Sequence, residues 1–269
     1  MSPFVSRLLV AGLLLPPVLA AVWFGGWWLA SVAIVGGLLA LHELYAMARR
    51  LRPLVLAGFT GLVLALVGTQ LGGPVWLLGG LLATMFLAFV LFGLSSARPP
   101  SAVAALATTL LGVAWVGGGL GCLLLVRDFP ENGRLAIFTV LIAVFADDTA
   151  AFLVGRAIGR HRMAPAISPG KSWEGFVAGT TAAVLVAFFS LYEQDFLTTA
   201  ESLVFGALVA VAATIGDLFE SAVKRDFGAK DSGSLLLGHG GVLDRIDSLL
   251  FAGPAAYYVI LAFTTVAER

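Results

Sequence analysis

Charge is scarce in this sequence. Asp, Glu, Lys and Arg make up 12% of its 269 residues, apolar types make up 59%, and the mean hydropathy is +0.99. An ordinary globular domain carries about one quarter charged residues, and a soluble globule must cover its surface with polar groups, so a water-soluble domain is excluded. The few charges balance, 16 basic against 16 acidic, which gives no basic excess for nucleic acid. Cys122 is the one cysteine, so no internal disulfide forms. With three scattered histidines there is also no zinc-ligand spacing. Internal repeats, linkers, low-complexity tails and the alternation of a β-barrel are absent too. The opening "RLLVAGLLLPPVLAAVW" has the outline of a signal peptide, but Val18-Leu19-Ala20 is a weak cleavage site and everything downstream is equally apolar, so a retained first span is expected.

What is present is a series of apolar runs, each near the roughly 20 residues that cross a bilayer as helix. They fall at about 8–24, 27–47, 54–71, 75–94, 102–126, 135–156, 173–191, 202–223 and 249–267. The expected class is therefore all-α, a polytopic integral membrane protein of about nine transmembrane helices. Lys and Arg concentrate on the cytoplasmic side of membrane proteins. With the N-terminus inside, thirteen of the sixteen basic residues fall in inside segments, Arg98 among them, and only Arg127, Arg134 and Arg269 fall outside. That asymmetry predicts an N-in/C-out topology. Glycine is plentiful, at 32 residues, and Gly117/Gly121 and Gly175/Gly179 have the spacing that lets helices approach closely; packing within one chain is the expected use.

Polar residues gather in two inside segments, 156–172 and 224–248, each flanked by a span that carries carboxylates. A charge inside a span is costly and defaults to a functional reading. In "TIGDLFESAVKRD", Asp217, Glu220, Ser221 and Lys224 share one helical face. The bland alternative is a self-neutralising Asp217–Lys224 pair at a helix end. The following stretch adds Lys230, Asp231, His239, Asp244, Arg245 and Asp247 among Gly233, Gly238, Gly240 and Gly241. Carboxylates suit Mg²⁺, Lys and Arg suit phosphate oxygens, and glycine permits close backbone approach. Interleaved on one membrane face, they point to metal-assisted phosphoryl or nucleotidyl transfer. In "HRMAPAISPGKSWEG" the tripeptide Gly-Lys-Ser is not a P-loop, because position 165 is proline and no strand precedes it. Asp147 and Asp148 lie inside the sixth span about 100° apart, which argues against one shared site. His42 and Glu43, near the inside end of the second span, are explained equally by snorkelling and by substrate contact.

The stretch "SAVKRDFGAKDSGSLLLGHGGVLDRIDS" resembles the signature of the phosphatidate cytidylyltransferases, or CDP-diacylglycerol synthases. The matching residues are Ser221, Lys224, Arg225, Lys230, Asp231, His239, Gly240, Gly241, Asp244, Arg245 and Asp247. "SPGKSWEG" is similar to a second segment of that family, at Ser168, Pro169, Lys171, Ser172, Glu174 and Gly175. "DTAAF" resembles a third and selects Asp148 over Asp147, although Ala150 and Phe152 stand where the family has glycine and tyrosine. The specific match covers about 146–248, within a C-terminal catalytic region of 135–269 that follows an N-terminal region, 1–134, of about five spans.

The resemblance implies condensation of CTP with phosphatidate to CDP-diacylglycerol and pyrophosphate at the cytoplasmic face of the cell membrane, by a homodimer using Mg²⁺ and a second cation. It implies Asp217 and Asp244 as metal ligands with Asp148 nearby, and Lys224, Arg225, His239 and Arg245 as catalytic groups. Ser168, Lys171, Ser172, Glu174, Ser221, Lys230, Asp231, Gly240, Gly241 and Asp247 are expected to bind substrate. The rival classes are a transporter with intramembrane carboxylates, which predicts polar residues through both halves of the bilayer, and an enzyme moving a preformed CDP-alcohol, whose Asp-Gly…Ala-Arg pattern is absent.

Overall fold

The computed structural model describes residues 3–94, 101–194, 196–233 and 240–267. His239, Arg98 and Arg269 lie outside the described residues. Among the described residues the protein is almost wholly helical, and seven helical stretches are long and apolar enough to cross a membrane. The elements run α1 (Pro3–Phe24), α2 (Gly26–Met47), α3 (Val55–Leu94), α4 (Ala102–Gly112), α5 (Gly118–Arg127), α6 (Gly133–Ile158), α7 (Trp173–Leu191), α8 (Thr199–Asp226) and α9 (Leu243–Ala267). A π-helical turn at Val113–Gly117 joins α4 to α5 as one apolar run. The chain divides into two compact units, Met1–Leu125 with Asp226–Ile246, and Val126–Arg225 with Asp247–Arg269. The signature segment is shared between them.

In the first unit α3 is two arms rather than one rod. Gly72 and Gly73 leave helical geometry, Gly73 with φ 70°, a value that favours glycine, and Pro74 starts the second arm. The arms pack antiparallel: Gly61 lies against Thr84, Ala65 against Gly80, and Gly68 against Trp76. The expected break between 71 and 75 is therefore a true reversal. α2 docks on this hairpin through Gly37, whose neighbours are Leu62 and, on α5, Leu120, and α4 meets α2 through Gly112, whose neighbours are Leu41 and Tyr45. Tyr45 donates its hydroxyl proton to the Thr109 carbonyl at 2.8 Å, and the Thr109 hydroxyl accepts from Leu54 N–H at 2.8 Å.

In the second unit α6 and α7 form another antiparallel pair. The buried positions of α7 are Gly175, Gly179, Ala183, Ala187 and Leu191, a repeat of four that makes one small-residue stripe. Gly175 abuts Gly155, and Gly179 abuts Asp147 and Ala151. Large apolar side chains such as Val177, Leu185 and Phe189 are exposed on the other side of α7. Lipid tails are as apolar as Leu, so burying Leu between helices gains little in a membrane, whereas small residues let backbones close up and gain van der Waals contact. Both glycine pairs singled out in the sequence pack inside the chain, Gly121 against Leu77 and Gly117 close to Leu62.

Between α6 and α7 the chain makes a short antiparallel ribbon, β1 (Arg162–Ala164) with β2 (Ser168–Ser172), pairing Arg162 with Ser172 and Ala164 with Ser168. α9 starts at Leu243, earlier than the expected onset at 249. Asp244, Arg245 and Asp247 therefore stand on its first turns rather than in a loop, because the helix start finds a cap far away in sequence.

Candidate active site

In the second unit the site is built from α6, β2, α8 and α9. Lys171, at the end of β2, reaches Asp217 on α8, Nζ to Oδ2 2.7 Å. Ser221, one turn further on, donates to Asp217 Oδ1 at 3.3 Å. Lys224 pairs with Glu220 at 2.5 Å, and Glu220 is only 1% exposed. The polar face expected on α8 is therefore present, but Asp217 neutralises Lys171, across the ribbon, and Lys224 pairs with Glu220. Asp247 is buried, with Asp217, Asp148 and Lys224 as its electrostatic neighbours. Arg225 sends Nε toward the Ile167 carbonyl at 3.4 Å and is otherwise at the exposed end of α8.

The ribbon is braced at its base. The Ser172 hydroxyl caps α7 by accepting from Gly175 N–H at 3.2 Å. Glu174 accepts the His161 N–H at 3.2 Å and meets its Nδ1 at 2.6 Å. Ser168 opens β2 half-buried. On α6, Asp147 is 2% exposed and Asp148 exposed, so the two diverge as the helical angle requires. Asp147, which the family resemblance does not select, is the buried one; among the described residues its Oδ1 has no hydrogen-bond partner, and Gly179 lies beside it.

In the first unit the signature segment folds around two carboxylates. Asp244 accepts N–H from Ser232 at 2.9 Å and from Gly241 at 2.8 Å, and its own N–H donates to the Ser232 hydroxyl at 3.3 Å. Glu43, on α2, accepts N–H from Val242 at 3.0 Å on Oε1, and from Leu243 at 2.9 Å on Oε2, with the Ser232 hydroxyl also on Oε2 at 3.2 Å. Glu43 is 3% exposed, so it does not snorkel to the interface. Gly240 has φ 78°, and a Cβ on Gly233 or Gly241 would strike the Glu43 carboxylate. The glycines in this part of the segment are thus required by backbone conformation and by crowding. Lys230, Asp231 and Arg245 are exposed. Glu43 was legible only as a carboxylate inside an apolar span; its partners lie about 200 positions away in sequence.

Among the described residues no three carboxylate, imidazole or thiol groups converge as a preformed cation cage. Mg²⁺ commonly takes one or two carboxylates and completes its shell with water and phosphate oxygens. The hard oxygen donors here, including the orphaned Asp147 Oδ1, fit that cation by chemistry.

The model of the Cytidylyltransferase family matches residues 5–263. Among curated proteins, the phosphatidate cytidylyltransferase of Mycobacterium bovis is 34% identical over 261 residues, covering 87% of this chain and 80% of that protein. That of Thermotoga maritima is 39% identical over 186 residues, covering 66% and 68%, and that of Bacillus subtilis 38% identical over 140 residues, covering 52% of each. With a match that spans nearly the whole sequence and includes the polar faces just described, this chain belongs to the cytidylyltransferase family.

Proposed function

We propose that this protein condenses CTP with phosphatidate, giving CDP-diacylglycerol and pyrophosphate, at the cytoplasmic face of the inner cell membrane. The observation that carries the reading is the signature from Ser221 to Asp247 in a chain that aligns over 87% of its length with a phosphatidate cytidylyltransferase. A phosphatidate oxygen forms a bond to the α-phosphorus of CTP, the bond from that phosphorus to the β-bridging oxygen breaks, and pyrophosphate leaves with the electron pair. The nucleophile is already anionic near neutral pH, so the chain has no need of a strong base; it must offset charge repulsion and hold three components in line.

Lys171, Lys224, Arg225, Lys230 and Arg245 serve as the phosphate-holding cations in this reading, and His239 orients a phosphate or the leaving pyrophosphate. Ser168, Ser172, Glu174, Ser221, Asp231, Gly240, Gly241 and Asp247 shape the substrate surface. Asp217 and Asp244, with Asp148, would hold Mg²⁺ and a second cation. When bound, such cations draw charge from both the entering and the leaving oxygens. Asp217 and Glu220 keep Lys171 and Lys224 fixed in position before substrate arrives. The purified protein is expected to release pyrophosphate only with phosphatidate and CTP together, and poorly when CTP is replaced in turn by other nucleotides. No release with any nucleotide would favour the transporter reading.

The topology proposed is nine crossings, counting α1, α2, both arms of α3, α4–α5, α6, α7, α8 and α9, with the N-terminus inside, in a homodimer. Gly170 has open space around it, Asp226 and Gln194 are exposed, and the native Cys122 is buried. Cysteines placed at Gly170 and Asp226 are expected to react with a membrane-impermeant maleimide only from the cytoplasmic side, and one at Gln194 only from outside. Labelling of all three from one side would overturn the topology.

A further inference from the structure

We infer that Glu43 is a positioning residue for the reaction: its buried carboxylate sets the backbone of the signature segment so that Asp244 is presented in one orientation. The inference rests on reading Asp244 as a cation ligand. A buried carboxylate is costly unless hydrogen-bonded, and Glu43 sits on α2 beside buried Leu41, Leu44 and Tyr45. Among the described residues its partners, Val242 N–H, Leu243 N–H and the Ser232 hydroxyl, all belong to the signature segment. Two of them are N–H groups at the start of α9, which have no partner within the helix and lie in its positive end field.

Ser232 links the two carboxylates: its hydroxyl donates to Glu43 and accepts from Asp244 N–H, while its own N–H donates to Asp244. Glu43 thus occupies the two N–H groups that precede Asp244 in sequence. Without it, Val242 and Leu243 compete for the Asp244 carboxylate and draw it from Ser232 and Gly241. Gly233 and Gly241 flank the Glu43 carboxylate so closely that a Cβ on either would strike it.

The chemistry makes the amide variant discriminating. Oε1 and Oε2 each face a backbone N–H, so a glutamine in either orientation sets its NH₂ against a donor. An aspartate keeps charge and acceptors but is one methylene short. Groups that orient a metal ligand typically matter by about 10–100-fold in affinity or activity.

The test uses the full chain in lipid nanodiscs, as wild type, Glu43→Gln, Glu43→Asp and Asp244→Asn. Three quantities are measured: hydrogen exchange of the amides of 241–244 without added metal, thermal shift on adding Mg²⁺, and the Mg²⁺ concentration at half-maximal pyrophosphate release. Glu43→Gln is expected to speed exchange in that peptide alone, to weaken the Mg²⁺ thermal shift and to raise the half-saturating Mg²⁺ about tenfold, with KM for phosphatidate unchanged. Glu43→Asp should fall between. Unchanged exchange, or a lower Tm with wild-type Mg²⁺ dependence, overturns the inference and leaves Glu43 a packing residue. If Glu43→Gln yields no folded protein, Glu43→Asp carries the same three readouts. If Asp244→Asn keeps the wild-type Mg²⁺ response, the underlying reading of Asp244 fails instead; if it loses that response while Glu43→Gln keeps it, the inference alone fails.

Discussion

Asp217→Asn and Asp244→Asn are each expected to abolish pyrophosphate release, a loss beyond the roughly 10–100-fold typical of groups that merely orient a metal ligand. Each change is nearly isosteric, so yield and detergent stability should be close to wild type. Groups that act as one unit are non-additive, so the double variant should be hardly worse than either single one. The competing account is specific, because Asp217 contacts Lys171 at 2.7 Å. If Asp217 only neutralises that lysine, Asp217→Asn is mildly impaired and keeps the wild-type Mg²⁺ dependence. If Asp217 holds a cation, turnover is lost and raising Mg²⁺ brings back little of it. Four proteins assayed across a Mg²⁺ titration separate the two accounts. Substantial activity of Asp217→Asn at ordinary Mg²⁺ would remove it from the cation site.

Gly80→Ala is expected to destabilise the protein and Gly79→Ala is not, although the two glycines are adjacent. A Cβ on Gly80 would meet the backbone of Ala65 on the opposite arm of α3, whereas a Cβ on Gly79 meets nothing within 4 Å. Backbone cannot rotate away as a side-chain tip can, so the arms must part. Overpacking of this kind costs about 1–3 kcal/mol. At position 79 alanine exchanges a poor helix former for a good one. Thermal unfolding of both variants, at one detergent concentration, should show a lowered Tm for Gly80→Ala only. Equal Tm values would mean that the arms of α3 do not close on each other as described.

The helical runs were legible because apolar length and glycine or proline breaks are local properties. The reversal near Gly72–Gly73 and the start of α7 at Trp173 followed directly. The start of α9 did not, since the carboxylate that accepts its first N–H groups stands on α2. Nor did the ion pairing of α8: helical spacing puts Asp217 and Lys224 on one face, but a ribbon strand supplies Lys171 to Asp217. Ser172 and Glu174 stood out as parts of a motif, and their local contacts are a helix cap and a brace at the ribbon base.

The sequence by itself determined the membrane class, the positions of the apolar helices and the family, because composition, run length and motif spacing are properties of a chain read in order. Only the tertiary structure decided which glycines are packing surfaces, which lysine faces which carboxylate, and that Glu43 is buried against the signature segment. These depend on contacts between residues far apart in sequence. Such contacts are selected by the requirement that each buried charge and each N–H at a helix start find a partner.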